Sequence, residues 1–393
     1  TDSHFPYVYD YFSETLRERQ SFNQEFRAVS DSADFQKNIF FEWVIGTSYL
    51  ELKESNLKKD DGLYGDPSDP YGPYASASSS SSKYKSSNFS VFGNLDYLLS
   101  ASLKFSIGLR WEDWEADYSD SLQESFNPTD KMSGGKISLI KNMTNDTNIY
   151  ASLAKGYKQG GFNLGLGLDA NATNKNLAYD PEFLTNYELG INTKLLDSKI
   201  TFNGVLFYSD REDQQVLIST QTDPSDPNTF SFLTQNAAEG VNHGLEINMD
   251  MDINQSLSAF VNLGILKTEI KNWQSRQDLD GRAQAHAPER SYALGLNWAP
   301  TSHTYLAIDF TGKSSFYYSD SHNNKSKSYV LTNLNLGYVK NNWNYELWAR
   351  NIFDEYYSVR GFYFGNEAPN FIDTLYKRHG DPRHIGLSIR YDF

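Results

Sequence analysis

Apolar side chains recur at every second position through most of this chain. In the closing stretch "HIGLSIRYDF" (384–393), Ile385, Leu387, Ile389, Tyr391 and Phe393 alternate with His384, Gly386, Ser388, Arg390 and Asp392. In an extended strand that separates the two sets onto opposite faces. The same period appears at 20–29, 40–52, 87–99, 102–118, 134–143, 147–159, 183–196, 199–219, 239–253, 255–273, 289–299, 304–318, 327–340 and 343–353. With the terminal stretch these make fifteen predicted strands. Tight turns ("LLSAS", "TNDT", "LLDSK", "INQS", "APTSH", "KNNW") alternate with long polar stretches at 53–86, 119–133, 160–182, 274–288 and 354–382. Short links on one edge and long ones on the other predict an antiparallel up-and-down meander.

The faces differ in chemistry. Leu245, Ile247, Met249 and Met251 alternate with Glu246, Asn248 and Asp250, and Leu257, Ala259, Val261, Leu263 and Ile265 alternate mostly with Ser, Asn and Gly. A soluble sandwich also alternates. Many segments here exceed ten residues, however, and the second face carries Gly, Asn, Ser, Glu and Asp, which suits a wet lumen. Tyr97, Trp111, Tyr208, Trp298, Tyr338 and Trp343 fall near segment ends, where a membrane girdle places aromatics. The expected fold is all-β, a transmembrane antiparallel barrel wall with its short turns periplasmic. The competing architecture, a large secreted sandwich or propeller, lacks the repeat period it would need.

Composition narrows the function. The chain has 393 residues with 27 Tyr, 25 Phe and 7 Trp, yet its densest apolar stretch, "IFFEWVIG" (39–46), is far short of the roughly 18 residues of a membrane helix. The opening "TDSHFPYVYD" has neither the basic start nor the apolar core of a signal peptide. Cysteine is absent, which removes thiol chemistry and fits an oxidising compartment. A net charge of −15 argues against nucleic acid as a partner. No nucleophile elbow, paired-acid motif or phosphate loop is present, so no enzyme and no cofactor is expected. His379 and His384 are spaced unlike common metal ligands, and no resident metal is expected.

Particular words are more specific. "FNQEFRAVS" (22–30), "FEWVIGTSYLE" (41–51), "YASLAKGYKQGGFN" (150–163), "YDPEFLTNYELGINTKLLDSKITFNGVLFYSDREDQQV" (179–216) and "ARNIFDEYY" (349–357) together resemble the barrel of TonB-dependent outer-membrane receptors. The terminal set Ile385, Leu387, Ile389, Tyr391 and Phe393 resembles the signal that outer-membrane proteins present to the barrel-assembly machinery. The resemblance implies about twenty-two strands around a plugged lumen in the outer membrane of a Gram-negative bacterium. About fifteen are present and a plug is not, so residues 1–393 are expected to be a single, partial barrel domain. With 1–18 taken as outer-loop sequence, the first and last strands both run inward. Closing them together would need a parallel pair, and an open edge in lipid would cost tens of kcal/mol.

The resemblance implies active import of a scarce nutrient, above all a ferric siderophore, energised by TonB through a plug outside this sequence. A passive porin-like channel or a structural barrel is the alternative. Candidate ligand contacts lie in two outer loops. Tyr64, Tyr71, Tyr74 and Tyr84 offer rings for stacking on a chelate, and Arg360, Tyr363, Arg378 and His379 form a basic, aromatic group suited to an anionic chelate or to lipopolysaccharide phosphates.

Overall fold

In the computed structural model the described residues are 8–65, 74–121, 124–163, 178–221, 230–273, 276–364, 372 and 374–393. Backbone pairing organises nearly all of them. The strands are β1 (Val8–Val29), β2 (Phe41–Gly65), β3 (Tyr74–Ser100), β4 (Leu103–Asp120), β5 (Ser125–Phe126), β6 (Thr129–Asn142), β7 (Thr147–Lys158), β8 (Gly161–Phe162), β9 (Ala178–Tyr179) and β10 (Glu182–Leu195). They continue with β11 (Ile200–Gln221), β12 (Phe230–Asn254), β13 (Leu257–Lys271), β14 (Arg290–Trp298), β15 (Thr304–Lys313), β16 (Tyr329–Lys340), β17 (Trp343–Arg350), β18 (Ser358–Phe364), β19 (Thr374–His379) and β20 (His384–Tyr391).

Fifteen of these form one antiparallel wall in the order β1-β2-β3-β4-β6-β7-β10-β11-β12-β13-β14-β15-β16-β17-β20, and β5 pairs with β4 beside it. The fifteen predicted segments are these fifteen strands. Two small hairpins, β8–β9 and β18–β19, stand on the long-loop side. Among the described residues β1 pairs along the wall only with β2, and β20 only with β17.

Register explains why the wall is uniform. Leu245, Ile247, Met249 and Met251 of β12 face Ile265, Leu263, Val261 and Ala259 of β13, and toward β11 the same residues face Leu206, Gly204, Phe202 and Ile200. A slip of one residue would turn this whole set to the wrong face, so the pattern specifies the pairing. The apolar band continues through Ile107 opposite Ile137, Leu296 opposite Ile308 and Leu347 opposite Leu387. Its members, among them Leu206, Ile265, Leu296 and Leu347, are exposed, as lipid-facing groups are when only protein is present. Ile385, Leu387, Ile389, Tyr391 and Phe393 are all exposed on this face of β20. Aromatic pairs edge the band: Phe41 on Tyr97 at 4.8 Å and Trp343 on Tyr391 at 4.8 Å at the short-turn side.

The opposite face is polar and internally bonded. Asn192 Nδ2 donates to Asn148 Oδ1 at 3.0 Å, Ser209 Oγ to Asn186 Oδ1 at 2.7 Å and Asn333 Nδ2 to Asp309 Oδ2 at 2.7 Å. Ladders of this kind satisfy the polar groups lining a lumen. Between them, rings crowd against glycines. A Cβ on Gly190 would sit 2.2 Å from the Tyr150 ring, and one on Gly337 would sit 2.0 Å from Tyr305, so these two positions require glycine.

Three expectations change. Residues 53–86, read as a loop, are mostly strand: β2 and β3 have 25 and 27 residues and continue well past the apolar band. From Leu50 to Gly65 that extension is about 50 Å along the strand. The serine run carries no alternation, yet its backbone groups pair, Lys58 with Ser80 and Asp60 with Ser78. Residues 8–18, read as outer loop, belong to β1 for the same reason, since they pair with 55–65 of β2. The stretch 354–382 contains the β18–β19 hairpin.

Candidate ligand-binding surface at the outer end

Where β1 to β4 rise beyond the apolar band, one cross-strand row on the lumen face carries the chemistry. Arg19 faces Glu54, Glu54 faces Tyr84 and Tyr84 faces Tyr118. The Arg19 Nε donates to Glu54 Oε2 at 2.7 Å. A hydrogen bond from Asn56, with Arg19 next in weight, holds the Glu54 carboxyl below its ordinary range, so the pair stays ionic. Behind the row, Trp114 and Met132 are buried with Ala116, and Tyr84 and Tyr157 pack on them. The Trp114 indole donates to Ser86 Oγ at 2.8 Å, which fixes the ring.

The β8–β9 hairpin, from the loop linking β7 to β10, closes over this row. Phe162 stacks on Phe126 at 5.2 Å and packs against Tyr118 at 5.3 Å and Tyr84 at 6.1 Å. Its other side is held by polar bonds to β11 and β12. Asn163 Nδ2 donates to Thr234 O at 2.9 Å while its Oδ1 accepts from Thr234 N at 2.7 Å. Gln215 Nε2 donates to Gln159 O at 2.8 Å and to Asp180 O at 3.0 Å, and Asp180 N donates to Asn236 Oδ1 at 2.6 Å. Asp130 Oδ2 accepts from Gly160 N at 3.1 Å. The hairpin therefore bridges two parts of the wall.

Between hairpin and row lies a cavity of about 330 Å³ lined by Arg19, Glu54, Tyr84, Tyr118, Gln159 and Tyr179. Aromatic faces, one guanidinium and one carboxylate meet there. Burial, reinforced by the neighbouring Asp120, pushes the Tyr118 phenol up to about 12, so it stays a neutral donor. Burial also raises the Asp130 carboxyl and the Tyr179 phenol.

A second group of loops stacks farther round the mouth. Arg282 donates to Asp320 Oδ1 at 2.8 Å and to His322 O at 3.0 Å, and its guanidinium lies 4.4 Å from the Tyr317 ring. Asn324 Nδ2 donates to Tyr363 Oη at 3.0 Å, and the His322 and Tyr363 rings meet edge to face at 5.1 Å. The loop before β14, the loop before β16 and the β18–β19 hairpin thus form one layered wall. Burial lowers the His322 imidazole below its usual value, with Arg282 adding to the effect.

Of the tyrosines predicted as ligand contacts, Tyr84 lies in the aromatic slot. Tyr74 is exposed and pairs with Tyr64 where β2 and β3 meet beyond the membrane, away from the slot. Tyr71 lies outside the described residues. Arg360 and Arg378 face each other across β18 and β19. Tyr363 is taken up by Asn324, and His379 stacks on Tyr356 at 4.2 Å. Sequence reading missed Trp114 and Tyr118 of β4, Phe126 of β5 and Phe162 of β8, which meet only through tertiary pairing. The one available signal was "KQGGFN", a glycine pair beside an aromatic in a long loop. Among the described residues no three His, Asp or Glu side chains gather as a metal site.

An antiparallel wall with an apolar outer band, aromatic edges, a polar lumen face and long loops on one side defines an outer-membrane β-barrel protein. The chain belongs to the TonB-dependent receptor family: the family described as TonB dependent receptor-like, beta-barrel matches residues 1–352. Its members are transport receptors of the Gram-negative outer membrane, and that is where this chain resides. Among curated relatives, the pesticin receptor of Yersinia pestis is 23% identical over 267 residues, 66% of this chain and 36% of that protein. The ferric yersiniabactin uptake receptor FyuA from Yersinia pestis superposes with a TM-score of 0.73 at 18% identity, over 98% of this chain and 55% of that one. The siderophore receptor PiuA from Acinetobacter baumannii gives 0.72 at 16% identity, over 96% and 56%. The chain thus spans about a third of the curated relative and a little over half of each solved structure. At these identities the structures establish the fold alone.

Proposed function

We propose that this chain forms most of the barrel wall of a receptor that imports a ferric chelate, above all a ferric siderophore, across the outer membrane. Energy would come from TonB acting on a plug outside this sequence, and the residues here form one partial barrel domain. The observation that carries the reading is the lumen-facing row of Arg19, Glu54, Tyr84 and Tyr118 beneath Phe162. Rings can stack on the organic shell of a chelate while the guanidinium offsets its charge. Solved relatives described as a ferric yersiniabactin uptake receptor and a siderophore receptor favour the same ligand class. In this reading the β18–β19 hairpin, with Arg360 and Arg378 opposed, makes a first electrostatic contact with an anionic chelate. The terminal strand through Phe393 is the segment read by the barrel-assembly machinery.

The test is uptake of labelled ferric chelates by cells with the gene, without it, and with the gene under a protonophore. Active import predicts uptake that is lost in the deletion and abolished by the protonophore. Uptake indifferent to the protonophore would establish a passive channel instead, and uptake unchanged by deletion would remove iron chelates as the cargo.

A further inference from the structure

The lipid-facing side of the wall carries a feature that import does not use. Just below the outer loops, one cross-strand row runs Leu153, Tyr187, Tyr208, His243, Lys267. The rings follow one another closely, Tyr187 to Tyr208 at 6.3 Å and Tyr208 to His243 at 6.2 Å. This is the outer edge of the apolar band, for the next residues inward on the same face are Leu189, Leu206, Leu245 and Ile265. Arg290, the first residue of β14, sits opposite Ile265 and so shares the face diagonally with Lys267. Diagonal neighbours on one sheet face lie about 7–8 Å apart, within reach of two long side chains converging on one group.

Both cations are exposed, and neither makes an ion pair among the described residues. The carboxylates sharing the face, Asp210 and Glu269, lie one pair farther out. Arg290 is anchored through its backbone, its N–H donating to Ser314 Oγ at 3.1 Å. Two unpaired cations at the top of an apolar band, beside a row of interfacial rings, match a lipid with apolar chains and a charged phosphate at their head. A dissolved anion would gain nothing from the leucines and isoleucines beneath.

We propose that Lys267 and Arg290, flanked by His243 and Tyr208, seat a phosphate of the phosphorylated glycolipid of the outer leaflet, lipopolysaccharide. Its acyl chains would lie along Ile265, Leu245 and Leu206, and its phosphate would bridge β13 and β14. The seat lies on the face opposite the lumen row, so it stands whether or not the chelate reading does.

The experiment uses the full-length protein extracted from outer membranes, stripped of lipid in mild detergent and titrated with purified lipopolysaccharide. Compared are the wild type, the double variant Lys267→Gln with Arg290→Gln, and Lys340→Gln, which removes an exposed cation at the opposite membrane edge, where Lys340 pairs with Trp343. The double variant should bind roughly thirtyfold more weakly, the effect of two surface cations facing anionic headgroups. Lys340→Gln should bind as the wild type does. Dephosphorylated glycolipid on the unaltered protein should show the same loss, an arm that decides the matter even if the double variant does not fold. Undiminished binding by the double variant, equal binding of the dephosphorylated lipid, an equal loss in Lys340→Gln, or full competition by inorganic phosphate would each overturn the proposal.

Discussion

Replacing Phe162 with alanine removes the ring that pins the β8–β9 hairpin to the lumen wall. That ring meets Phe126, Tyr118 and Tyr84 at 5.2, 5.3 and 6.1 Å. Each aromatic pair contributes about 0.5–1.5 kcal/mol beyond area burial, and a fully buried Phe→Ala change costs about 3–5 kcal/mol. Phe162 is half-buried, so we expect a local cost of about 2–3 kcal/mol. The wall itself has its own ladders and should not feel the change. Local opening should therefore rise roughly 30- to 150-fold, read as faster amide exchange at Gly160, whose N–H donates to Asp130, and at Asp180, whose N–H donates to Asn236. Amides of β10 and β11 should exchange as before. Phe162→Leu, which keeps apolar contact without the ring, should fall between. If exchange at Gly160 and Asp180 is unchanged in Phe162→Ala, the polar bonds of Asn163, Gln215 and Asn236 hold the hairpin alone and the aromatic slot is not its anchor.

Other outcomes follow from the same geometry. Tyr118 ionises near pH 12 in the folded protein against 10.0 for a free phenol, so its contribution to stability is constant below pH 10.0 and falls as pH rises toward 12. A phenolate absorbance titration should show a late component shared by Tyr118 and Tyr157, whose phenol burial also pushes up to about 12; Tyr118→Phe should reduce that component, and an undiminished one would assign it elsewhere. The His322 imidazole is depressed below 6.5, so the neutral form is the one the folded loops favour. Stability from this site is present above pH 6.5 and is lost as pH falls through the lower folded value, and amides of 314–328 should lose protection there but not in His322→Gln. Gly190→Val forces a side chain into the Tyr150 ring and should destabilise the wall by about 1–3 kcal/mol in denaturant unfolding. A second change, Tyr150→Ala, should recover much of that loss, and failure to do so would mean the clash is not the cause.

Much of the wall was legible because lipid on one side and water on the other impose a strict period of two. Leu245 to Met251 and Leu257 to Ile265 could be placed on one face before any coordinates, and the register puts them opposite each other. Beyond the membrane the same constraint lapses. The serine run 78–82 has no apolar alternation, and its strand character comes from pairing with β2, which is itself flanked by β1. The aromatic slot was hidden for a different reason. Tyr84 drew notice in a loop rich in tyrosine, but its partners Tyr118, Phe126 and Phe162 come from three other segments and meet only through tertiary pairing. The lipid-facing cations Lys267 and Arg290 are likewise unremarkable in sequence, 23 residues apart, and adjacent only through the β13–β14 register.

The division of the wall into a lipid face and a wet lumen face is tested most directly by single cysteines placed one at a time from 245 to 251, in a chain that has no native cysteine to interfere. In intact outer membranes, cysteines at Leu245, Ile247, Met249 and Met251 should react with a membrane-soluble maleimide and resist a charged one. Those at Glu246, Asn248 and Asp250 should show the reverse. Reactivity without that alternation, or with it inverted, would contradict the assignment of the two faces and with it the reading of this chain as a barrel wall.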